Sequence, residues 1–322
     1  MGISSLPLTL LLAAAPLPVQ PAAKPAPQPP AEPMSELAYQ RALLQGGLPE
    51  LTIACVDAAR FGLDGRLQQL RDRLMLVRPA PQPFPVVMAN AQALIFCRAP
   101  DSAQTVLNRF GPGPGQQRRE WLLLSWRAAS AALDHERAAL ALRRLAAGNL
   151  AALDAEQLVV AQPEGGEPLT RSALDLLAEY EASAGHLDRA AEVLLAGRTP
   201  GVVAAQRYGQ VAVWVQRLGQ ERTDSLLEAA LDQAAAEQAW SLAEDLLRLQ
   251  LRLNLEAGGD GQRARQRLER LATRVDDRFT LWELLQDDPD LERQLRSPRA
   301  PGGHAALGEL GPVSPSASPI RP

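Results

Sequence analysis

The three histidines are the first residues to consider for catalysis or metal binding, because imidazole changes its charge near neutral pH and is a common metal ligand. His135 and His186 each lie at a turn between two predicted helices, and His304 lies in a C-terminal stretch rich in Pro, Gly, Ser and Ala. None belongs to a recognisable metal-ligand or catalytic motif. We therefore expect His135 and His186 to be solvated or to cap helices, and we predict no catalytic residue and no metal site.

The glycine-rich and acidic runs do not have the patterns of phosphate or calcium loops. Residues 111–115 alternate Gly with Pro and lack the Lys-Ser/Thr pair that would reach a phosphate and its metal, and residues 258–261 follow a predicted helix rather than a strand. The acids of residues 287–292 lack the glycine and the spacing of a calcium loop, and helix N-termini explain them more simply. We predict no bound cofactor.

The tryptophans and cysteines favour packing over chemistry. Trp121 and Trp126 follow two arginines, which is typical of a binding patch, but their helical spacing in an apolar run favours a place in the core. Cys55 and Cys97 each lie in an apolar helical pattern, where a free thiol behaves as a small hydrophobe. A disulfide between them requires their two helices to be adjacent, which the sequence leaves open.

The composition restricts both the fold and the partners. Of 322 residues, 46% are hydrophobic but only 4% are aromatic, so Leu, Ala and Val must build the core, and that suits closely packed helices. The formal net charge of −4 argues against nucleic-acid binding, which needs a basic surface.

The helical pattern is clearest in residues 170–197, where two short amphipathic patterns meet at a turn around Gly185. The small Ala190 allows the two helices to approach closely, and Gly197 ends the second helix. A unit of this size cannot bury its own apolar face, so it needs neighbours on both sides. Similar patterns predict further helices at residues 35–45, 49–61, 66–77, 86–98, 101–110, 118–133, 136–147, 202–218, 223–238, 239–256, 262–275, 279–286 and 291–296, with one or two helical turns at 154–160.

The small alanine of the second helix in each pair marks a repeat. Ala103 and Ala138 are 35 residues apart, Ala138 and Ala190 are 52 apart, and the next position at a spacing of 35 is Ser225, in a degenerate unit. A period of 34 residues with two helices per unit is that of tetratricopeptide repeats. Two stretches resemble that family's motif in order and spacing: Leu174, Leu177, Ala178, Gly185, Ala190 and Leu194, and then Leu251, Leu255, Gly259, Ala264, Leu268 and Leu271.

The resemblance covers these two units well and the rest of residues 34–275 only in hydrophobic pattern. It implies an all-α solenoid, a right-handed superhelix of about six to seven helical hairpins, whose concave face binds a peptide or a partner's helix. The Lys and Asn positions of the family's carboxylate clamp are not recognisable here. The aromatic residue that the family carries in its first helix falls one position early here, at Tyr180.

Composition divides the chain into three parts. Residues 1–33 hold an apolar, signal-like segment at 6–15 and a Pro/Ala-rich tether, residues 34–296 hold the helical solenoid, and residues 297–322 form a Pro/Gly/Ser-rich tail expected to be disordered. The apolar segment predicts export to a periplasm-like compartment, although no Lys or Arg precedes it; a cytoplasmic protein with a Pro-rich leader is the alternative.

These observations predict a non-enzymatic scaffold that binds a protein partner along a solenoid face. The sequence predicts no nucleic-acid partner, and membrane contact only through the N-terminal segment. Two alternatives stay open: a structural subunit of a larger assembly, and an all-α enzyme whose catalytic groups converge from distant positions.

Overall fold

The computed structural model describes residues 32–76, 82–163 and 166–285, and this part of the chain is all-α apart from one small sheet. Consecutive helices pack against one another along the whole series. The helices are α1 Glu36–Gln45, α2 Leu48–Arg60, α3 Asp64–Leu76, α4 Phe84–Phe96, α5 Pro100–Asn108, α6 Gly115–Ala131, α7 His135–Ala146, α8 Ala173–Ser183, α9 Leu187–Leu195, α10 Val202–Arg217, α11 Thr223–Ala236, α12 Trp240–Glu256, α13 Gln262–Val275 and α14 Arg278–Leu285.

The helices form hairpins whose members are joined by short turns. Helices α2 to α13 pair in succession, from α2 with α3 to α12 with α13, which gives six hairpins in the described residues, with α1 and α14 at the two ends. The first helix of one hairpin also contacts the first helix of the next at α2–α4, α4–α6 and α10–α12. At the last of these, a Cβ on Gly209 would lie only 2.8 Å from Leu246 Cδ2, so the absence of a side chain brings α10 and α12 together.

Local sequence sets the helix ends. Side-chain oxygens of Ser35, Asp134 and Ser172 accept hydrogen bonds from the first free N–H groups of α1, α7 and α8. The hairpin turn of α8 and α9 places Gly185 at a φ of +86°, a conformation that glycine adopts without strain. The small-residue positions Ala103, Ala138 and Ala190 are fully buried where α5, α7 and α9 pack on their neighbours.

The expected helical turns at residues 154–160 are wrong. A 3-10 helix, Leu150–Leu153, is followed by the strand β1, Gln157–Ala161, which pairs antiparallel with β2, Leu169–Ser172. The predicted helix start at residue 170 therefore moves to Ala173. This insertion between α7 and α8 explains the spacing of 52 between Ala138 and Ala190, which exceeds the repeat of 35 by 17 residues.

The buried apolar residues form two clusters that meet in α6. The first cluster runs from Tyr39 on α1 to α6, where it includes Trp121 and Leu122, and the second runs from α6 to Leu284 on α14. Trp126 belongs to the second cluster. The expectation that Trp121 and Trp126 pack in the core is confirmed, since they are 5% and 4% exposed. Helix α6 is thus a wall shared by two cores.

A disulfide joins Cys55 on α2 to Cys97 at the end of α4, with a Cα–Cα distance of 4.6 Å. Both residues are fully buried in the first cluster. Arg71 of α3 donates to the Cys97 carbonyl at 2.8 Å, and Arg98 donates to the Ala59 carbonyl at 2.7 Å, so hydrogen bonds tie the same helix ends together. The sequence had left this pairing open, and the adjacency of α2 and α4 settles it.

Several expectations lie outside the described residues: the signal-like segment at 6–15, the acids at 287–292, the helix at 291–296, His304 and the C-terminal tail. In the part of the chain that is described, no helix has both the length and the apolar character needed to cross a membrane.

Candidate functional site

A groove of about 630 Å³ separates α8 from α10, and we call it the α8–α10 groove. Helix α10 packs on α9, and the space left between α10 and α8 is open on one side. Arg171 of β2 lines one end of the groove. The other lining residues follow one face of each helix at helical spacing: Asp175, Ala178, Glu179, Ala182 and Ser183 on α8, and Val203, Gln206, Arg207, Gln210, Trp214 and Arg217 on α10. Leu187 and Leu194 of α9 complete the lining.

The lining combines apolar and polar surface. Ala178, Ala182, Leu194 and Trp214 supply apolar atoms, while Gln206 and Gln210 are exposed on α10. The wall on α10 runs from Val203 to Arg217, which is fourteen residue steps or about 21 Å at the helical rise. An extended chain of about six residues matches that length.

Arg207 is the buried charged centre of one wall. Its side chain is 7% exposed, its Nε donates to Asp175 Oδ1 at 2.7 Å, and its Nη2 donates to Asp154 Oδ1 at 2.7 Å. The two carboxylates come from the end of the 3-10 helix and from α8. One guanidinium therefore joins the inserted segment, α8 and α10, and fixes the spacing of the groove walls.

Asp154 also holds the loop after α9. Its Oδ2 accepts hydrogen bonds from the N–H groups of Arg198 and Thr199, both at 2.8 Å, and from the Thr199 hydroxyl at 2.9 Å. Burial alone would raise the pKa of Asp154, but these bonds and the one from Arg207 hold the pKa of this carboxyl well below its usual range. Burial alone would lower the pKa of Arg207, but its hydrogen bonds to Asp175 and Asp154 and their charges outweigh burial, so this pKa is raised.

Gly197 is required by the close approach of Arg207. A Cβ at Gly197 would lie 2.4 Å from Arg207 Nη1 and 3.0 Å from Leu174 Cδ2. The sequence had assigned Gly197 to helix termination, and α9 does end two residues earlier, at Leu195. The packed guanidinium gives a stronger reason for glycine at this position.

The pKa values of the paired Asp154 and Arg207 both move away from neutral pH. A general acid or base works best with a pKa near the operating pH, but the pKa of Asp154 moves down and that of Arg207 moves up. Arg171 pairs with Glu179 at 2.6 Å on the rim. Arg217 lies at the other end without an ion pair to any described residue, which leaves a cation for a ligand carboxylate.

The first set of repeat-defining residues surrounds this groove. Leu174, Leu177, Ala178 and Ala190 are at most 1% exposed and Leu194 is 6% exposed, all in the second apolar cluster, and Ala178 and Leu194 also line the groove. Tyr180 is buried, accepts from Trp126 Nε1 at 3.2 Å and donates to Ser130 Oγ at 3.0 Å. The Tyr180 hydroxyl thus bonds α8 to α6.

The second set is divided between the core and the surface. Ala264 and Leu268 are buried on α13, Leu251 and Leu271 are partly buried, and Leu255 is 54% exposed. Helix α12 buries Leu246, Leu247 and Leu253 instead. Gly258, rather than Gly259, takes the positive φ at the turn, +82°. None of this second set lines the α8–α10 groove.

His135 and His186 lie at hairpin turns, but neither side chain caps a helix: Asp134 caps α7, and His186 makes no capping hydrogen bond to α9. His135 is the first residue of α7, and its ring lies 5.8 Å from that of Tyr180. His186 precedes α9, and its Nδ1 lies 3.1 Å from Oε2 of the buried Glu181, which also accepts a hydrogen bond from Arg143 Nε. Among the described residues, no group of three His, Cys, Asp or Glu side chains is placed to hold a metal ion.

Sequence reasoning missed the three charged residues that set the groove. Arg207 carried a signal, since it is the one charged residue of α10 before Arg217, but its partners lie 32 and 53 residues away in the sequence. No protein-family model matches this chain, and no curated protein matches its sequence.

Proposed function

We propose that the protein is a non-enzymatic scaffold that binds an extended segment of a partner protein in the α8–α10 groove. The observation that carries the proposal is the groove itself: an open, partly apolar channel about 21 Å long along α10, with amide and guanidinium side chains along it. Gln206 and Gln210 would donate to the backbone of the segment, and Arg217 would bind a carboxylate. Leu187, Leu194 and Trp214 would contact its apolar side chains.

The fold behind the groove is proposed to be a solenoid of the tetratricopeptide-repeat type. Three features support this: successive hairpins, buried small residues at Ala103, Ala138 and Ala190, and contacts between the first helices of neighbouring hairpins. The groove lies between the first helices of two hairpins, the position expected for the concave face of such a superhelix.

A native pull-down with groove-blocked variants tests the function. Gln210→Trp places an indole in the groove from an exposed position on α10, and Gln220→Trp makes the same change at an exposed position in the following turn, outside the groove. We expect a companion protein that copurifies in a stable ratio with the wild type and with Gln220→Trp, but not with Gln210→Trp.

Synthetic segments that cover the companion's sequence are then tested for binding to the wild-type protein, and the segment that binds locates the contact. Equal capture by all three proteins would refute binding in this groove. Wild-type protein that returns without any companion would count against the scaffold and would direct the search to a small ligand.

A second candidate is a structural subunit of a larger assembly. It is favoured by large apolar side chains exposed on the first two helices: Leu37 and Leu44 on α1 are 75% and 68% exposed, and Ile53 on α2 is 62% exposed. Light scattering after size-exclusion chromatography separates the two candidates. A discrete oligomer that dissociates in the variants Leu44→Glu and Ile53→Glu would favour the structural subunit. A monomer would favour the scaffold.

The disulfide supports a place outside the reducing cytoplasm. Disulfides persist in oxidising compartments and are rare where thiols are kept reduced. We propose that the folded protein works in such a compartment. Protein quenched in acid and then alkylated in denaturant, which exposes any buried thiol, should show no alkylated Cys55 or Cys97 by mass spectrometry; complete alkylation of both would refute the placement.

A further inference from the structure

A second groove, of about 560 Å³, lies beside the strand β1, and we call it the β1 groove. It is bounded by α4, by α6 and by the strand. Its apolar lining includes Met88, Ala89, Leu123, Leu124 and Trp126. It shares no lining residue with the α8–α10 groove, so the two sites can be tested independently.

The β1 groove meets the strand along the edge that pairs with no other strand in the described residues. Four successive residues, 156–159, line the groove. Successive side chains of a strand point to opposite faces, so a groove against one face would be lined by alternate residues only. A groove lined by every residue in turn lies at the edge, opposite the edge that pairs with β2.

The hydrogen-bond pattern leaves backbone groups of this edge pointing into the groove. Ala173 N donates to the Glu156 carbonyl at 2.8 Å, which shows that residue 156 turns its backbone groups toward β2. The direction alternates along an antiparallel ladder. Leu158 therefore also faces β2, while the N–H and C=O groups of Gln157 and Val159 face the groove.

The edge is held in place before any partner binds. Nη2 of Arg119 on α6 lies 2.5 Å from Oε1 and 2.7 Å from Oε2 of Glu156, so one guanidinium nitrogen contacts both carboxylate oxygens and ties the start of β1 to α6. Leu158 is 5% exposed in the apolar cluster and anchors the strand centre. A partner would meet a fixed edge and would not bear the entropic cost of ordering it.

We propose that the β1 groove binds an extended segment of a partner protein, which pairs with Gln157 and Val159 as a third strand. Only an extended backbone presents donors and acceptors at the spacing of a strand edge. Alternate side chains of the segment would be apolar and would enter the groove against Leu123 and Trp126. Arg127 lines the same groove without an ion pair to any described residue, so the segment should carry a carboxylate near one end.

A random dodecapeptide library displayed on phage and selected on the full-length protein supplies the probes. We expect enriched sequences with apolar residues at every second position and an Asp or Glu nearby. Fluorescence anisotropy of the labelled peptides then gives their affinity for the wild type and for two matched proline variants.

The proline variants remove one outward N–H from each edge of the hairpin. Val159 and Thr170 face each other across the ladder, and proline is tolerated where the N–H points away from the partner strand. Val159→Pro should lower the affinity for the peptides at least tenfold, because it removes a backbone donor and its ring obstructs the strand edge. Thr170→Pro changes the opposite edge and should leave their affinity unchanged.

Backbone N-methylation of the peptide gives the same test on the unaltered protein. Methylation at alternate positions should weaken binding at least tenfold, while the intervening positions tolerate it. Binding should also slow amide exchange at Gln157 and Val159. Equal affinity for Val159→Pro, protection of α8 or α10 instead, or a selection that enriches nothing above the protein-free control would overturn the proposal.

Discussion

Removal of the Cys55–Cys97 disulfide should destabilise the first core by a predictable amount. The bond closes a loop with a sequence separation of 42 residues. In the chain-entropy account, a loop of that length lowers the entropy of the unfolded chain enough to contribute about 4 kcal/mol to the free energy of unfolding at 25 °C. With a denaturant dependence of about 1–3 kcal/mol per molar urea, Cys55→Ala/Cys97→Ala should lower the unfolding midpoint by at least about 1 M.

Equilibrium urea unfolding measures this loss, and amide exchange locates it. We expect faster exchange in α2 to α5, which share a core with the disulfide, and little change in α10 to α13. Cys55→Ala alone is the matched comparison: it breaks the same bond, so its unfolding midpoint should fall by about as much as that of the double variant. Both sulfurs are buried, so a reductant should act on the wild type only after urea unfolds it. Equal midpoints for the oxidised, reduced and double-variant proteins would refute the reasoning.

Three further outcomes follow from the buried charges. Gly197→Ala should lower the free energy of unfolding by about 3 kcal/mol in thermal denaturation, because its Cβ displaces Arg207 from its partners, while Gly65→Ala, where a Cβ meets open space, should be neutral or slightly stabilising. The lowered pKa of Asp154 stabilises the fold above the ordinary value of 3.8, so the advantage of the wild type over Asp154→Asn should shrink as the pH falls below that value; a constant difference would contradict the assignment. Burial, with nearby acids, raises the pKa of Glu244, so the wild type should lose stability relative to Glu244→Gln as the pH rises above 4.5 in pH-dependent urea titrations.

The helices could be predicted because each carries its own signal. In α9, the buried residues Ala190, Ala191, Val193 and Leu194 recur at the helical period, and Gly185 marks the preceding turn. Such patterns depend on residues within a few positions of one another. The same local patterns led to the predicted repeat, because a small residue is expected wherever the second helix of a pair packs closely on its neighbours.

The strands and the groove could not be predicted in the same way. A short apolar run such as the one at Val159 fits a strand and a helical turn equally well, and only pairing with β2 decides between them. The valines followed by a Pro/Gly-rich turn were the available signal for a hairpin. The Arg207 contacts join residues 32 and 53 positions apart, which no local pattern can associate.

Because α6 contributes to both cores, we expect an order of events during synthesis. A ribosome releases the chain from its N-terminus, so Cys55 and Cys97 both emerge before Trp121 arrives to complete the first core. The covalent link between α2 and α4 can therefore form while that core is still open to an oxidant. Docking of α6 adds Trp121 and Leu122 to the core that holds the disulfide and adds Trp126 to the second core. The N-terminal half would then act as the template on which the C-terminal half assembles.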